Sequence, residues 1–216
     1  MNSRSLYMWA LIGYIVFLGC DNVKKNQYFT GTIEYDYSYS SDSLNIDSLK
    51  NARLGKGFFR YDISDYQSRF IGQDTTTYFY SGKTNKCVEE SGRGKYECED
   101  YGKASDSIIS VKVYDTDEKV LDHSCGIIEI QKTRSRVQYY FAKDLKMAPA
   151  IYKLHRAYNW DVYGAKTNGG LVLKLKHQFK TFTMTGIATA IKEYNKEFKA
   201  LQLDDGVFIN TCKQIK

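Results

Sequence analysis

The clearest pattern in the chain is a strict alternation of apolar and polar residues over positions 29–39. One face of this segment carries Phe29, Gly31, Ile33, Tyr35, Tyr37 and Tyr39, and the other carries only polar or charged residues. Such alternation is typical of a β-strand with one buried face. A second long strand is predicted where Leu171, Leu173, Leu175, His177 and Phe179 alternate with Val172, Lys174, Lys176 and Gln178.

Shorter runs rich in Ile, Val, Tyr and Phe lie between these two segments, and such residues favour pleated surfaces. They occupy positions 57–63, 68–72, 75–81, 86–89, 96–99, 107–114, 127–131 and 136–141. After the second long segment, Phe182, Met184 and Gly186 indicate one more strand. The Gly, Asp, Asn and Ser residues between them predict antiparallel hairpins. The glycine-rich stretches 91–94 and 168–170 lack the lysine and serine of a phosphate-binding loop and are interpreted as hairpin turns.

Three segments have helical patterns instead. Positions 42–54 begin with the capping residues Asp42 and Ser43, and positions 150–158 follow the single proline, Pro149. Near the end, Ile191, Tyr194, Phe198 and Leu201 recur at the spacing of an amphipathic helix. The order of elements predicts an α+β fold that is mostly β, with a curved antiparallel sheet and a few short helices packed on one side.

The N-terminus has the layout of a signal peptide, in which Arg4 precedes an uncharged run at positions 6–18. This run is shorter than the roughly 20 residues that a helix needs to cross a bilayer. The sequence Phe17-Leu18-Gly19-Cys20 resembles the bacterial lipobox, which implies that Cys20 receives lipid after cleavage. We expect a lipid-anchored envelope protein of a Gram-negative bacterium, on the periplasmic or outer face of the outer membrane. A secretory signal with an incidental cysteine is the alternative.

The expected organisation is a signal peptide at 1–19, a lipidated tether at 20–27 and a single domain at 28–216, since roughly 100 to 200 residues make one domain. The chain has a formal net charge of +6, and its basic residues are scattered among acidic ones. Blocks of like charge are absent from the sequence, so we expect the membrane, and not nucleic acid, as a partner.

Four cysteines remain besides Cys20, namely Cys87, Cys98, Cys125 and Cys212. An even number of cysteines in an exported chain favours disulfides. Four thiols allow three pairings, and Gly92 and Gly94 favour a hairpin that joins Cys87 to Cys98, which leaves Cys125 for Cys212. The alternative is four independently buried thiols, because cysteine is among the most buried residue types.

The sequence contains no recognisable catalytic or metal-binding pattern. His123, His155 and His177 do not share the spacing of metal ligands, and His123 with Cys125 lacks the further ligands of a closed zinc site. A Gly-x-Ser-x-Gly motif is absent from the sequence. We therefore expect a noncatalytic protein with no metal and no cofactor.

The chain is rich in aromatic residues, with 19 Tyr and 11 Phe. Tyrosine has an apolar body and a polar tip, which suits interfaces and partly wet cavities. Seven tyrosines fall on predicted strands: Tyr35, Tyr37, Tyr39, Tyr78, Tyr80, Tyr139 and Tyr140. The simpler explanation is that aromatic residues favour strands.

Four features together carry a family resemblance: the lipobox, "FTGTIEYDYSY", "VLDHSCGIIEIQ" followed by "RVQYYFAKDLKMAP", and the late "GLVLKL". The chain resembles uncharacterised exported bacterial lipoproteins with a LolA-like fold, a curved antiparallel half-barrel closed by helices. The resemblance implies a concave apolar face of the kind that holds lipidated cargo in relatives.

Two functions follow as hypotheses. The first is a membrane-anchored lipoprotein that binds a lipid or another apolar ligand in its concave sheet, with walls chosen from the alternating positions Phe29, Ile33, Tyr35, Tyr37, Leu173 and Leu175. The second is a tyrosine-rich module that binds a protein or glycan and has a filled core. A cavity of roughly 300 to 1,000 Å³ would favour the first.

Overall fold

The structure is a computed structural model that describes residues 27–48, 55–91, 95–103, 106–194 and Cys212. The predicted signal peptide, the lipobox with Cys20 and nearly all of the tether lie outside the described residues. So do Gly92 and Gly94 of the predicted hairpin turn and positions 195–201 of the predicted C-terminal helix.

Within the described residues, eleven strands form one antiparallel sheet. They are β1 (Gly31–Ser40), β2 (Lys56–Tyr61), β3 (Asp65–Ile71), β4 (Thr75–Ser81), β5 (Lys86–Ser91), β6 (Lys95–Asp100), β7 (Ile108–Val120), β8 (His123–Lys132), β9 (Arg136–Lys146), β10 (Gly170–Gln178) and β11 (Thr183–Glu193). The spatial order is β6-β5-β4-β3-β2-β1-β11-β10-β9-β8-β7, so the first strand pairs with the last. The predicted mostly-β, antiparallel fold is confirmed.

The sheet is strongly curved, because its two edge strands are consecutive in the chain. β6 ends at Asp100 and β7 begins at Ile108. An extended linker of this length reaches at most about 30 Å. Eleven strands of a flat sheet would hold the two edges about 48 Å apart. The sheet therefore bends into a half-barrel with one concave face.

A helical segment lies between β9 and β10. It consists of α1 (Pro149–Tyr152), a 3-10 turn (Ala157–Asn159) and α2 (Trp160–Thr167). The sequence predicted helical turns at 150–158 but not α2, whose buried face includes Gly164 and Thr167 and therefore shows no apolar stripe. A methyl group on Gly164 would overlap the ring of Tyr152, so this glycine allows α1 and α2 to pack closely. Among the described helices, none has both the length and the apolar character to cross a bilayer.

The two other helix predictions need correction. In the segment 42–54, helix begins only after Asn45, whose Oδ1 accepts the backbone N–H groups of Asp47 and Ser48 at 2.9 and 3.2 Å. Asn45 is thus the capping residue, and positions 49–54 lie outside the described residues. Ile191 belongs to β11, where it pairs with Ile33. Pairing with β11 satisfies the backbone groups on the second edge of β1, which would otherwise be exposed.

The predicted disulfide pairs are wrong. Cys98 is bonded to Cys212, whereas Cys87 and Cys125 are free and buried. In the β5–β6 ladder, Val88 lies opposite Cys98, and Cys87 lies opposite Glu99. Successive residues of a strand point to opposite faces. Cys87 and Cys98 therefore lie on different faces of the sheet and cannot bond to each other.

Candidate functional site

The helical segment covers only one end of the concave face. At that end Ile151 and Tyr163 pack against Ile33 and Leu173, and all four are at most 2% exposed. The hydroxyl of Tyr163 donates to the carbonyl oxygen of Gly170 at 2.5 Å, so its burial leaves no unmet hydrogen bond. We call this end the core region.

The other end of the same face is a pocket of about 420 Å³. This volume lies within the range of about 300 to 1,000 Å³ that is typical of small-molecule sites. Aromatic and aliphatic side chains make up most of its wall, among them Tyr37, Phe70, Tyr139, Trp160, Leu175 and Met184. The walls come from strands β1–β4 and β8–β11, and Trp160 is the first residue of α2 in the helical segment.

Two glycines make room for the ring of Tyr37. Gly57 lies on β2 and Gly186 lies on β11, on either side of β1. A methyl group on Gly186 would lie 2.6 Å from Cε1 of Tyr37, and one on Gly57 would lie 2.8 Å from Cε2. The ring thus occupies the space that both side chains would fill and lies flat along the sheet. This position keeps Tyr37 out of the pocket volume.

One buried cation, Lys132, lines the pocket. It is the last residue of β8, is 4% exposed and follows Ile128 and Ile130 on the inward face of that strand. Burial lowers the pKa of its ammonium group, and the charge of Asp106 opposes this shift. No carboxylate of the described residues forms an ion pair with Lys132.

His177 lies on the same wall, and its Nε2 is 3.0 Å from the hydroxyl oxygen of Ser135. Burial, and then the charge of Lys132, lower the pKa of His177 to about 4, so the imidazole is neutral at pH 7. Burial also raises the pKa of Tyr37 and of Tyr139. Of the described residues that line the pocket, Lys132 therefore carries the one formal charge at neutral pH.

Further basic residues flank this polar part of the pocket. Arg134 and Arg136 belong to the turn and strand that follow Lys132, and Lys180 follows β10. These residues line a shallow depression that shares Phe179 with the pocket. Arg136 Nη2 donates to Gln178 Oε1 at 2.8 Å, which links the two hairpin ends. The surface beside the pocket is therefore electropositive.

His155 fixes the helical segment against the sheet. Its side chain is fully buried, and its Nε2 is 2.9 Å from the hydroxyl oxygen of Tyr66. The rings of Tyr80 and Tyr101 lie 4.6 Å from it, and the Arg156 and Ala157 N–H groups donate to the Tyr101 carbonyl. Burial lowers the pKa of His155 to about 4. This arrangement holds the adjoining Tyr158 and Trp160 at the pocket.

The structure divides the six predicted wall residues between two environments. Tyr37 and Leu175 line the pocket. The other four, Phe29, Ile33, Tyr35 and Leu173, are buried in the core region. Alternation identified the inward face correctly, but the helical segment covers the end of that face where these four residues lie. Sequence reasoning missed Lys132, although its i, i+2 spacing from Ile128 and Ile130 placed it on the inward face.

Most of the seven tyrosines noted on predicted strands point inward. Tyr35, Tyr39 and Tyr80 are buried, and Tyr37, Tyr78 and Tyr139 line the pocket. Tyr140 lies outside the pocket lining, and the Nζ of Lys174 is 4.5 Å from the centre of its ring. Six of the seven tyrosines thus form interior walls and not an exposed binding surface.

Across the part of the chain that the structure describes, no three His, Cys, Asp or Glu side chains are placed to hold a metal ion. His123 and Cys125, considered above as a ligand pair, have other surroundings. His123 Nδ1 is 2.8 Å from Asp144 Oδ2, and Cys125 is buried in the core region.

No family model and no curated protein matches the chain significantly. Among solved structures, it is similar to PNGF-II in the C2 and P21 space groups, with TM-scores of 0.45 and 0.42 and 15% identity in both. Those matches cover 82% and 81% of this chain but only 29% and 30% of PNGF-II. A β-barrel-like protein of the domain of unknown function DUF1849 from Brucella abortus has a TM-score of 0.37 and 11% identity, and its match covers 77% of this chain and 98% of that one.

Proposed function

We propose that the protein is a noncatalytic envelope lipoprotein that binds an apolar ligand, such as a lipid acyl chain, in the pocket around Tyr37 and Leu175. The observation that carries the proposal is the unfilled volume of about 420 Å³ on the concave face. A sheet interior that is packed solid, as the interaction-module hypothesis requires, would leave no space of this size.

The walls suit an acyl chain both in chemistry and in rigidity. Each buried methylene group contributes about 0.8 kcal/mol to binding. The rings support one another: the centre of Phe70 lies 5.4 Å from that of Phe59 and 5.9 Å from that of Tyr78. A wall that is already in place loses little conformational freedom when the ligand enters.

The predicted anchor gives such a pocket a source of ligand. Lipid on Cys20 and the tether at 20–27 would hold the domain within about 30 Å of a membrane surface. Two or more acyl chains on the anchor bind a membrane stably, whereas one binds only marginally. The same proposal includes the LolA-like kinship and a location at the outer membrane.

Trp160 provides a direct readout of pocket occupancy. The chain has two tryptophans, and the other, Trp9, lies in the predicted signal peptide. The mature chain carrying Cys20→Ser should therefore show a saturable change in Trp160 emission when it is titrated with lauric acid or dodecanol. Native mass spectrometry of the protein purified without added lipid should show retained ligand.

A matched pair of variants tests the location of the site. Leu175→Phe adds bulk inside the pocket and should weaken binding on the order of tenfold. Lys176→Phe adds a similar bulk on the opposite face of the same strand and should leave binding unchanged. Equal effects of the two changes, or no saturable binding by a folded parent, would contradict the proposal.

A further inference from the structure

Lys132 is an unusual residue for the wall of an apolar pocket. Lysine is almost never buried unless it is paired. Its ammonium group loses hydration on burial, and this loss is unfavourable unless an opposite charge replaces the water. Asp106 is the described carboxylate whose charge acts on Lys132, but the two form no ion pair. The other titratable side chains on the pocket wall, His177 and the tyrosines, are neutral at pH 7.

We infer that the pocket takes an acyl chain with an anionic head group, a carboxylate or a phosphate monoester, and that Lys132 binds this head group. The inference rests on the proposed function and narrows its ligand class. A charge-assisted hydrogen bond to ammonium is roughly twice as strong as one between neutral groups. The head group would therefore supply the ion-pair partner that no described residue provides.

The surroundings of Lys132 fix the orientation of such a ligand. Lys132 ends β8 and His177 lies near the end of β10, so both are next to the hairpin turns that carry Arg134 and Lys180. The acyl chain would then extend from this polar part along the apolar wall. Basic groups beside the pocket would also attract an anion as it approaches.

The other charge types fit less well. A cationic head group would face Lys132 and the neighbouring arginines, and like charges at close range repel each other. A neutral head group would leave the Lys132 ammonium with no opposite charge among the described residues that line the pocket. Of the three kinds of head group, the anionic one is stabilised in the pocket by the charge of Lys132.

The test compares three ligands of equal chain length: lauric acid, dodecyl phosphate and dodecanol. Trp160 emission of the mature Cys20→Ser chain serves as the readout. At least one anion should bind about tenfold or more tightly than dodecanol. The tighter of the two anions identifies the head group as a carboxylate or a phosphate monoester.

Three substitutions assign the preference to one side chain. Lys132→Met should reduce the affinity for the anion to that for dodecanol, and Lys132→Arg should retain the preference. Lys176→Met removes the same charge from the outer face of β10 and should change neither affinity. The Lys132→Met variant should unfold at or above the parent's denaturant midpoint, because the change removes a buried charge with which no described carboxylate forms an ion pair.

The outcomes separate this inference from the proposed function. If dodecanol binds as tightly as both anions, or if Lys132→Met keeps the full anion preference, the inference is overturned while the acyl-chain pocket stands. If none of the three ligands binds to the folded parent, the proposed function itself fails.

Discussion

The core region and the pocket are built from the same strands, yet one is filled and the other is open. β1 contributes Ile33 to the core region and Tyr37 to the pocket, and β10 contributes Leu173 and Leu175 in the same way. Strand geometry does not distinguish the two, because all four side chains point to the concave face. The difference is the helical segment, which covers one end of that face only.

The two regions also differ in how they accommodate bulky rings. In the core region, the hydroxyl of Tyr35 donates to the Val172 carbonyl at 2.5 Å, so the ring spans from β1 to β10 and fills the interior. In the pocket, Gly57 and Gly186 allow Tyr37 to lie flat. Two tyrosines separated by one residue thus have opposite effects on interior volume.

The largest expected difference between the regions is in the cost of truncating a leucine. Leu173 is fully buried, so Leu173→Ala should lower the free energy of unfolding by about 2 to 5 kcal/mol. Leu175 already borders an open volume, so Leu175→Ala should cost roughly 1 kcal/mol or less. Urea denaturation of both variants measures the two values. Equal losses would show that the pocket is packed as tightly as the core region.

A smaller difference is expected for the tyrosine hydroxyls. Tyr35→Phe leaves the buried Val172 carbonyl without this donor and should destabilise the protein by about 1 to 3 kcal/mol. Tyr37→Phe, on the pocket wall, should change stability by no more than about 0.5 kcal/mol. Thermal and urea unfolding of the pair give the comparison, and a larger loss at Tyr37 would reverse it.

The smallest expected difference concerns the response to acid of two buried histidines, His155 in the helical segment and His177 on the pocket wall. The pKa values of His155 and His177 are lowered to about 4 in the folded protein, so the unfolded chain takes up protons first. Their contribution to stability is therefore complete above about pH 6.5 and is lost as the pH falls from about 6.5 to 4. Each should account for roughly 1 to 2 kcal/mol of this loss.

Substitution by glutamine assigns that loss to the individual residues. His155→Gln should flatten the stability profile more than His177→Gln, because His155 is fully buried and His177 borders the pocket. Urea titrations between pH 7 and about pH 4.5 give the profiles. Unchanged acid sensitivity in both variants would mean that other groups cause it.

Much of the fold was predictable because strand alternation is a local property. The run at 75–81 coincides with β4, and the "GLVLKL" pattern marked β10. The strand order was not predictable, because the pairing of β1 with β11 depends on residues far apart in the chain. The cysteine error has a similar origin, since the register of β5 against β6 decides which thiols share a face.

The candidate site was predictable only in part. Alternation identified Tyr37 and Leu175 as inward residues, but it contains no information about which end the helical segment would cover. Lys132 was missed because a lysine at the end of a strand is usually solvated. Its spacing of two residues from Ile130 along the strand was the only local sign that its side chain faces inward.

The pairing of β1 with β11 also has a consequence for the order in which the protein folds. Gly31 pairs with Glu193, so the edge of β1 that faces β11 has no partner until β11 has been synthesised and reaches it. Contacts between residues so distant in sequence form slowly, because a long loop must close first. Until then β1 exposes a tyrosine-rich edge that can pair with other chains. The interval between its synthesis and the arrival of β11 is therefore when the chain is most prone to aggregate.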